Sequence, residues 1–154
     1  MDVNKKILEL DIELPNMPCK AGLYSQCVKF SDKLVYLSGC GPDLNGVEVY
    51  KGKLGNEVSI EQGQLATRNC LLNALAILKS NIGDLNRVKR FVKIISFVAS
   101  SDDFYQQPLV ANGASQCLID IFGEEIGTCA RSAIGVNVLP GNIPVEIEFL
   151  IELY

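Results

Sequence analysis

A chain of 154 residues, 48% apolar and 21% charged, fits one globular domain and is unlike a disordered or fibrous chain. Fourteen basic against eighteen acidic side chains leave a net charge of −4, which offers a nucleic-acid backbone no basic field. The absence of any histidine removes Ser-His-Asp and Cys-His nucleophile systems, imidazole acid–base chemistry and histidine-ligated metals.

In chain order, residues 3–10 read as a short helix closed by Pro15 and Pro18. Ser25 to Ser31 alternates polar and apolar, and Asp32-Lys33 turns it into Leu34 to Gly39, a hairpin. The glycine-bearing stretch from Cys40 to Gly55 reads as irregular, with one short strand. Ser59 and Gln62 form a capping box, and Leu71, Ala74, Leu75, Leu78 and Ile82 then follow helical spacing over Glu61 to Ile82, stopped by Gly83. Val88 to Ala99, rich in β-branched and aromatic residues, reads as a central strand. A second helix starts at Pro108 and ends at Phe122 before Gly123, with Val110, Ala114, Cys117, Leu118 and Ile121 as its core face. Ala130 to Val138 and Val145 to Leu153 are the last strands, joined by residues 139–144.

This order predicts an α+β fold over residues 1–154 as a single domain, with two helices on one face of a mixed sheet. An uncovered apolar face on the other side predicts oligomerisation. The longest apolar runs fall far short of the ~20 residues of a membrane span, and the N-terminus has no signal-peptide pattern, so the expected compartment is the cytosol. The six cysteines have no C-x-x-C spacing and read as reduced thiols; no metal site and no cofactor are expected. The basic run Arg87, Lys89, Arg90 and Lys93 reads as a solvated junction ahead of an RNA patch, so a nucleic-acid partner is not expected. Gly39-x-Gly41 is too short for a phosphate loop.

Strand alternation puts Arg131, Ala133, Gly135 and Asn137 on one face, and in the last strand Glu146, Glu148 and Glu152 share another. By periodicity alone Arg131 and Glu146 are polar-face residues that could form a salt bridge. Tyr24 reads equally as a packing aromatic, Ser38 as a strand-end hydroxyl and Asn112 as a helix-start cap. If the last strands form a simple hairpin about Gly141-Asn142, Glu146 pairs opposite Asn137 and Arg131 lies roughly 20 Å farther along. A small ligand touching both then needs either two chains or a different connection.

Arg131-Ser132, Val138-Leu139-Pro140 and Val145-Glu146-Ile147-Glu148 resemble the C-terminal signature of the RidA/YjgF family, also known as L-PSP endoribonuclease. Gly22-Leu23-Tyr24-Ser25, Leu37-Ser38-Gly39 and Asn112 resemble other family segments. Gly52-Lys53-Leu54-Gly55, Asn112-Gly113-Ala114-Ser115 and Phe122-Gly123 resemble a longer subgroup. The resemblance implies a chorismate-mutase-like fold, a homotrimer with intersubunit clefts, and hydrolysis of reactive imines and enamines to 2-keto acids and ammonia. It further implies that Arg131 holds the carboxylate of a small imino or keto acid. Glu146 would activate water, Tyr24 would close the cleft, and Ser38, Gly39, Asn112 and the backbone of residue 133 would supply contacts. Ala133 stands where active deaminases carry a small polar or thiol side chain, and Cys129 where the longer subgroup has histidine. Two other functions remain open at this point: a non-catalytic or regulatory module binding small carboxylates, and an endoribonuclease or translation inhibitor.

Overall fold

The computed structural model describes residues 2–154. Helix α1 (Val3–Glu9) starts where the Asp2 carboxylate accepts from the Asn4 and Lys5 amides, and buries Val3 and Ile7. Strands β1 (Cys27–Phe30) and β2 (Leu34–Cys40) form the expected hairpin. Residues 41–58 contain no strand, only isolated bridges, in place of the short strand expected there. Leu54 docks this segment on the sheet end: its amide donates to Ala99 O, its carbonyl accepts from Ser101 N, and its side chain is fully buried.

Helix α2 (Ile60–Ile82) begins at the predicted capping box, with Ser59 Oγ accepting from Gln62 N at 3.2 Å and Gln62 Oε1 accepting from Ser59 N at 2.9 Å. A 3₁₀ turn (Leu85–Arg87) leads into β3 (Val88–Ala99). Helix α3 (Gln107–Gly127) runs past its expected end. Gly123 breaks it with φ 77°, yet one more turn follows, and its last residue, Gly127, lies so close to Leu118 O that a Cβ would stand 2.6 Å from it. Strands β4 (Ala130–Val136) and β5 (Val145–Leu153) complete the chain.

The sheet order is β1-β2-β5-β3-β4, with β3 and β4 parallel and every other pair antiparallel. The mixed α+β architecture is as predicted, but the last two strands are not a hairpin: β3 lies between them. The reason is the α3 crossover, which is long enough to return the chain parallel to β3, while the segment through Pro140–Asn142 carries β5 over β3 to pair with β2.

Helices α2 and α3 cover one sheet face, where Val35, Leu37, Ile94, Val98, Ile147, Phe149 and Ile151 meet Leu71, Leu75, Leu78, Leu118 and Phe122. Phe91 meets the Phe122 ring edge-on at 4.9 Å and Phe149 at 6.4 Å. The short α1 rests beside α3 and the 3₁₀ turn, a third helix that the two-helix expectation left off the sheet. No helix among the described residues is long and apolar enough to cross a membrane.

The two covering helices touch closely at Gly113, where a Cβ would run into Gln64 O and stand 2.6 Å from Thr67 Oγ1. Thr67 Oγ1 itself donates across this contact to Val110 O at 2.9 Å. Gly113→Ala is therefore expected to cost about 1–3 kcal/mol through overpacking. A denaturant midpoint equal to the parent's would refute this account of the contact.

Candidate functional site

The hairpin β2 carries one extra residue against β5. Pairing runs Leu37 with Phe149, then jumps to Cys40 with Ile147, so three steps of β2 face two of β5. Such a bulge re-aims side chains and breaks the ladder locally. Ser38 and Gly39 sit in it, and the Glu146 carboxylate lies directly over Gly39, where a Cβ would collide with it. Glycine here is a requirement of close approach.

Around this bulge opens a cavity of about 800 Å³, walled by Tyr24, Ser38, Gly39, Cys40 and Glu146, and by Asn73 from α2. Ser38 Oγ donates to Ser25 O at 2.6 Å, and Ser38 N donates to Gln26 O at 3.0 Å. Gln26 Nε2 donates to Pro18 O at 2.9 Å. The Ser38 hydroxyl thus ties down the loop that presents Tyr24, whose side chain is part exposed at the cavity mouth. This is a stronger role than that of a strand-end hydroxyl.

Glu146 is half buried, and among the described residues no lysine or arginine forms an ion pair with it. Burial first, and the neighbouring Glu148 second, raise its carboxyl above the ordinary 4.5. Glu148 accepts from the Tyr36 hydroxyl at 2.8 Å. Burial pushes the adjacent Cys40 thiol to about 12, with the Glu146 charge adding to it, so this sulfur stays protonated at neutral pH.

Arg131 lies elsewhere. It registers opposite Ile94 on the helix-facing side of the edge strand β4, whereas Glu146 registers opposite Phe97 and alternates with the buried Val145 and Ile147. The two side chains therefore leave opposite faces of the sheet. They are also separated by about 10 Å across two strand spacings and about 10 Å along the strands. No salt bridge joins them, and the hairpin register that placed Glu146 opposite Asn137 is corrected by the interposed β3.

The guanidinium is instead clamped to α3. Nη1 donates to Asn112 Oδ1 and Ser115 Oγ, both at 2.9 Å, and Nη2 donates to Pro108 O at 3.2 Å. Three of its five N–H groups are used by these bonds, which leaves two for a ligand. Asn112 serves as an acceptor for Arg131 and does not cap the helix, whose N-cap residue is Gln106. Ser115, one helical turn beyond Asn112, was missed in the sequence; its place three residues on the same face was the available signal. Ala133 lies on the helix side of β4 opposite the buried Ser96, whose hydroxyl has no partner.

The structure thus brings Tyr24, Ser38, Gly39 and Glu146 into one cavity and holds Arg131, Asn112 and Ala133 together at the far edge. Among the described residues, no group of three or more His, Cys, Asp or Glu side chains is arranged to hold a metal ion. Each member of the basic run has a partner within the chain: Arg87 Nη1 donates to Ile82 O, Lys89 and Arg90 both bind Glu152 at the surface, and Lys93 Nζ donates to Ser132 Oγ.

Comparison with known proteins matches residues 4–153 to the family model described as "YjgF/chorismate_mutase-like, putative endoribonuclease". The protein TCP17 of Trypanosoma cruzi is 39% identical over 151 residues, covering 98% of this chain and 94% of that one. A crystal structure of a protein of unknown function from Agrobacterium tumefaciens superposes with a TM-score of 0.89 at 35% identity, over 99% of this chain and 92% of that one. One from Shewanella oneidensis, described as a "putative endoribonuclease", gives 0.94 at 28% identity over 99% and 100%.

Proposed function

Since the chain belongs to the YjgF/RidA family, we propose that it hydrolyses reactive 2-imino and enamine acids to 2-keto acids and ammonia, in clefts shared between the subunits of a homotrimer. The observation that carries this reading is Glu146: a half-buried carboxylate without a cationic partner, its proton affinity raised, on the wall of a cavity that also holds Tyr24 and Ser38. A carboxyl raised toward the working pH is a better proton shuttle than one held low by an ion pair.

Glu146 takes a proton from water as the oxygen attacks the imine carbon, and the C=N π pair moves to nitrogen. The same carboxyl then hands the proton to the amine of the resulting carbinolamine. The carboxylate then takes the hydroxyl proton and passes it to the same nitrogen, so that ammonia leaves as the C–N bond breaks and the carbonyl forms. Atoms balance as imine plus water to keto acid plus ammonia. An imine carbon is electrophilic already, so EDTA is expected to leave turnover unchanged.

The substrate carboxylate needs a fork, and Arg131 offers two N–H groups in a geometry fixed by Asn112, Ser115 and Pro108. Because one chain sends Arg131 and Glu146 to opposite sheet faces, the complete cleft takes Glu146 from one protomer and Arg131 of the partner subunit. The sheet face away from the helices supports this assembly. Val28, Phe30, Tyr36 and Ile134 stand exposed there between half-buried Ile95, Phe97 and Leu150. Sedimentation equilibrium giving a monomer at micromolar concentration would remove the shared cleft.

The decisive experiment generates 2-iminopropanoate in situ from alanine with an amino-acid oxidase and measures the protein's acceleration of keto-acid release. No acceleration, with pyruvate still bound, would favour the second reading, a carboxylate-binding module. Ala133, which offers no side-chain hydrogen bond beside the Arg131 fork, speaks for that alternative. An endoribonuclease finds less support, since each member of the basic run has a partner within the chain and no imidazole is present. Arg131→Lys keeps the charge but loses the fork, so pyruvate affinity is expected to fall by about 1.5–3 kcal/mol. Unchanged binding by calorimetry would show that the anchor is elsewhere.

A further inference from the structure

One wall of the Glu146 cavity is a single stretch of chain, since Pro18, Cys19, Ala21, Gly22, Tyr24 and Gln26 all line it. Among the described residues, no hydrogen bond reaches Cys19 to Tyr24. The Tyr24 ring leans back on its own loop, with Cδ1 3.6 Å from where a Gly22 Cβ would stand. Within one chain, Tyr24 is therefore supported through the two ends of this stretch.

The ends are held differently. At the C-terminal end, Ser38 of β2 binds the backbone twice, its hydroxyl donating to Ser25 O at 2.6 Å and its amide to Gln26 O at 3.0 Å. At the N-terminal end, Pro18 has no N–H to offer, and its carbonyl accepts from Gln26 Nε2 at 2.9 Å. A carbonyl only accepts, so the amide nitrogen is the atom of Gln26 that must meet it. This bond shuts a compact loop whose ends lie side by side, the form of an Ω-loop. Without it, the next tie on that side is Asn16, whose amide donates to Asn45 Oδ1 at 2.9 Å. The loop that carries Tyr24 would then be longer and open at its base. Each of these bonds joins two residues of one chain, and none needs the partner subunit that completes the cleft.

We infer that Gln26 is a positioning residue of the cleft: its side-chain amide clasps the Pro18–Gln26 loop at its base and so sets how firmly Tyr24 is held over a bound 2-keto or 2-imino acid. The ligand in this statement rests on the Glu146-centred reading above, whereas the clasp itself can be read without any ligand.

Two measurements test it, each on Gln26→Met and on Gln26→Glu, which keep the length of the side chain and lose the donor. The first is native digestion with trypsin, followed by mass spectrometry at the Lys20–Ala21 bond inside the loop. Cleavage that follows the open population should run about two- to tenfold faster in both variants, the range that one neutral hydrogen bond is worth. The second is calorimetric titration with pyruvate. Both variants should bind it about two- to tenfold more weakly than the parent. In a Tyr24→Ala background neither should weaken it further, because a residue that acts through Tyr24 has nothing left to position. Unchanged cleavage in both variants would show that the bond does not hold the loop. Faster cleavage with parental pyruvate affinity, or an equal loss with and without Tyr24, would show that the loop does not act on the ligand through Tyr24. Either result overturns the inference and leaves the Glu146 reading standing. A parent that binds no pyruvate would overturn that reading, and the positioning role with it, whatever the cleavage rates.

Discussion

Glu146→Gln is expected to lose about 10²–10⁴-fold in turnover of 2-iminopropanoate while pyruvate still binds, because the amide keeps the shape of the carboxyl and cannot take a proton from water. The same substitution should make the protein more stable near neutral pH. Burial, with Glu148 adding to it, raises the carboxyl of the folded state above the ordinary 4.5 of an unfolded chain. Stability from a group raised in this way is fully present below the unfolded value and is lost as pH rises through the folded one. Glutamine undergoes no such loss, so the variant should melt above the parent at pH 7, and the gap should close as pH falls below about 4.5. Glu148 and the Tyr36 hydroxyl bonded to it face the same region and remain in both proteins. A variant less stable than the parent at neutral pH would mean that the Glu146 carboxylate is held by compensating contacts, contrary to the geometry over Gly39. Full retention of turnover would remove the residue from the chemistry.

Mixed trimers provide the second large effect. Arg131→Ala and Glu146→Gln proteins should each be inactive on 2-iminopropanoate. After subunit exchange at equal ratio, activity should return to about a quarter of parental, since a head-to-tail ring then pairs an intact arginine with an intact glutamate at one interface in four. The expectation follows from the sheet order. With β3 between β4 and β5, one protomer cannot bring both groups to a small ligand without crossing its own sheet. Exchanged trimers with no recovered activity would place both groups on one chain and would require a path through the sheet that the register denies.

Much of this frame was legible beforehand. The Ser59–Gln62 box and the apolar spacing to Ile82 located α2 almost to the residue, because a reciprocal cap is a local device that tertiary packing does not override. The error about β4 and β5 had a physical source too. Neighbouring strands with a short connection pair more often than not, and that prior outweighed the strand–helix–strand pattern from Val88 to Val136. A crossover of that length is the mark of a parallel pair, so the signal was present. At the site, Tyr24, Ser38, Gly39 and Glu146 were reachable only through family resemblance, since periodicity gave each an ordinary alternative. Periodicity could not show that Arg131 turns toward α3, because alternation assigns two faces without saying which one the helices cover. Asn73 left a fainter trace: a single amide inside Leu71-Leu72-Asn73-Ala74-Leu75, where an apolar residue would have packed more simply.

The position of β5 also constrains how the molecule can come into being. Among the described residues it is the last strand in chain order, yet it lies at the centre of the sheet and joins the β1–β2 hairpin to the β3–β4 pair. A chain that ends before Val145 therefore lacks the one partner that both β2 and β3 pair with in the finished sheet. The hydrophobic faces of Val35, Leu37, Ile94 and Val98 must wait for Ile147, Phe149 and Ile151 before they share one core. The seam of the sheet thus forms only with the nine residues Val145–Leu153, which pair with strands made much earlier in the chain.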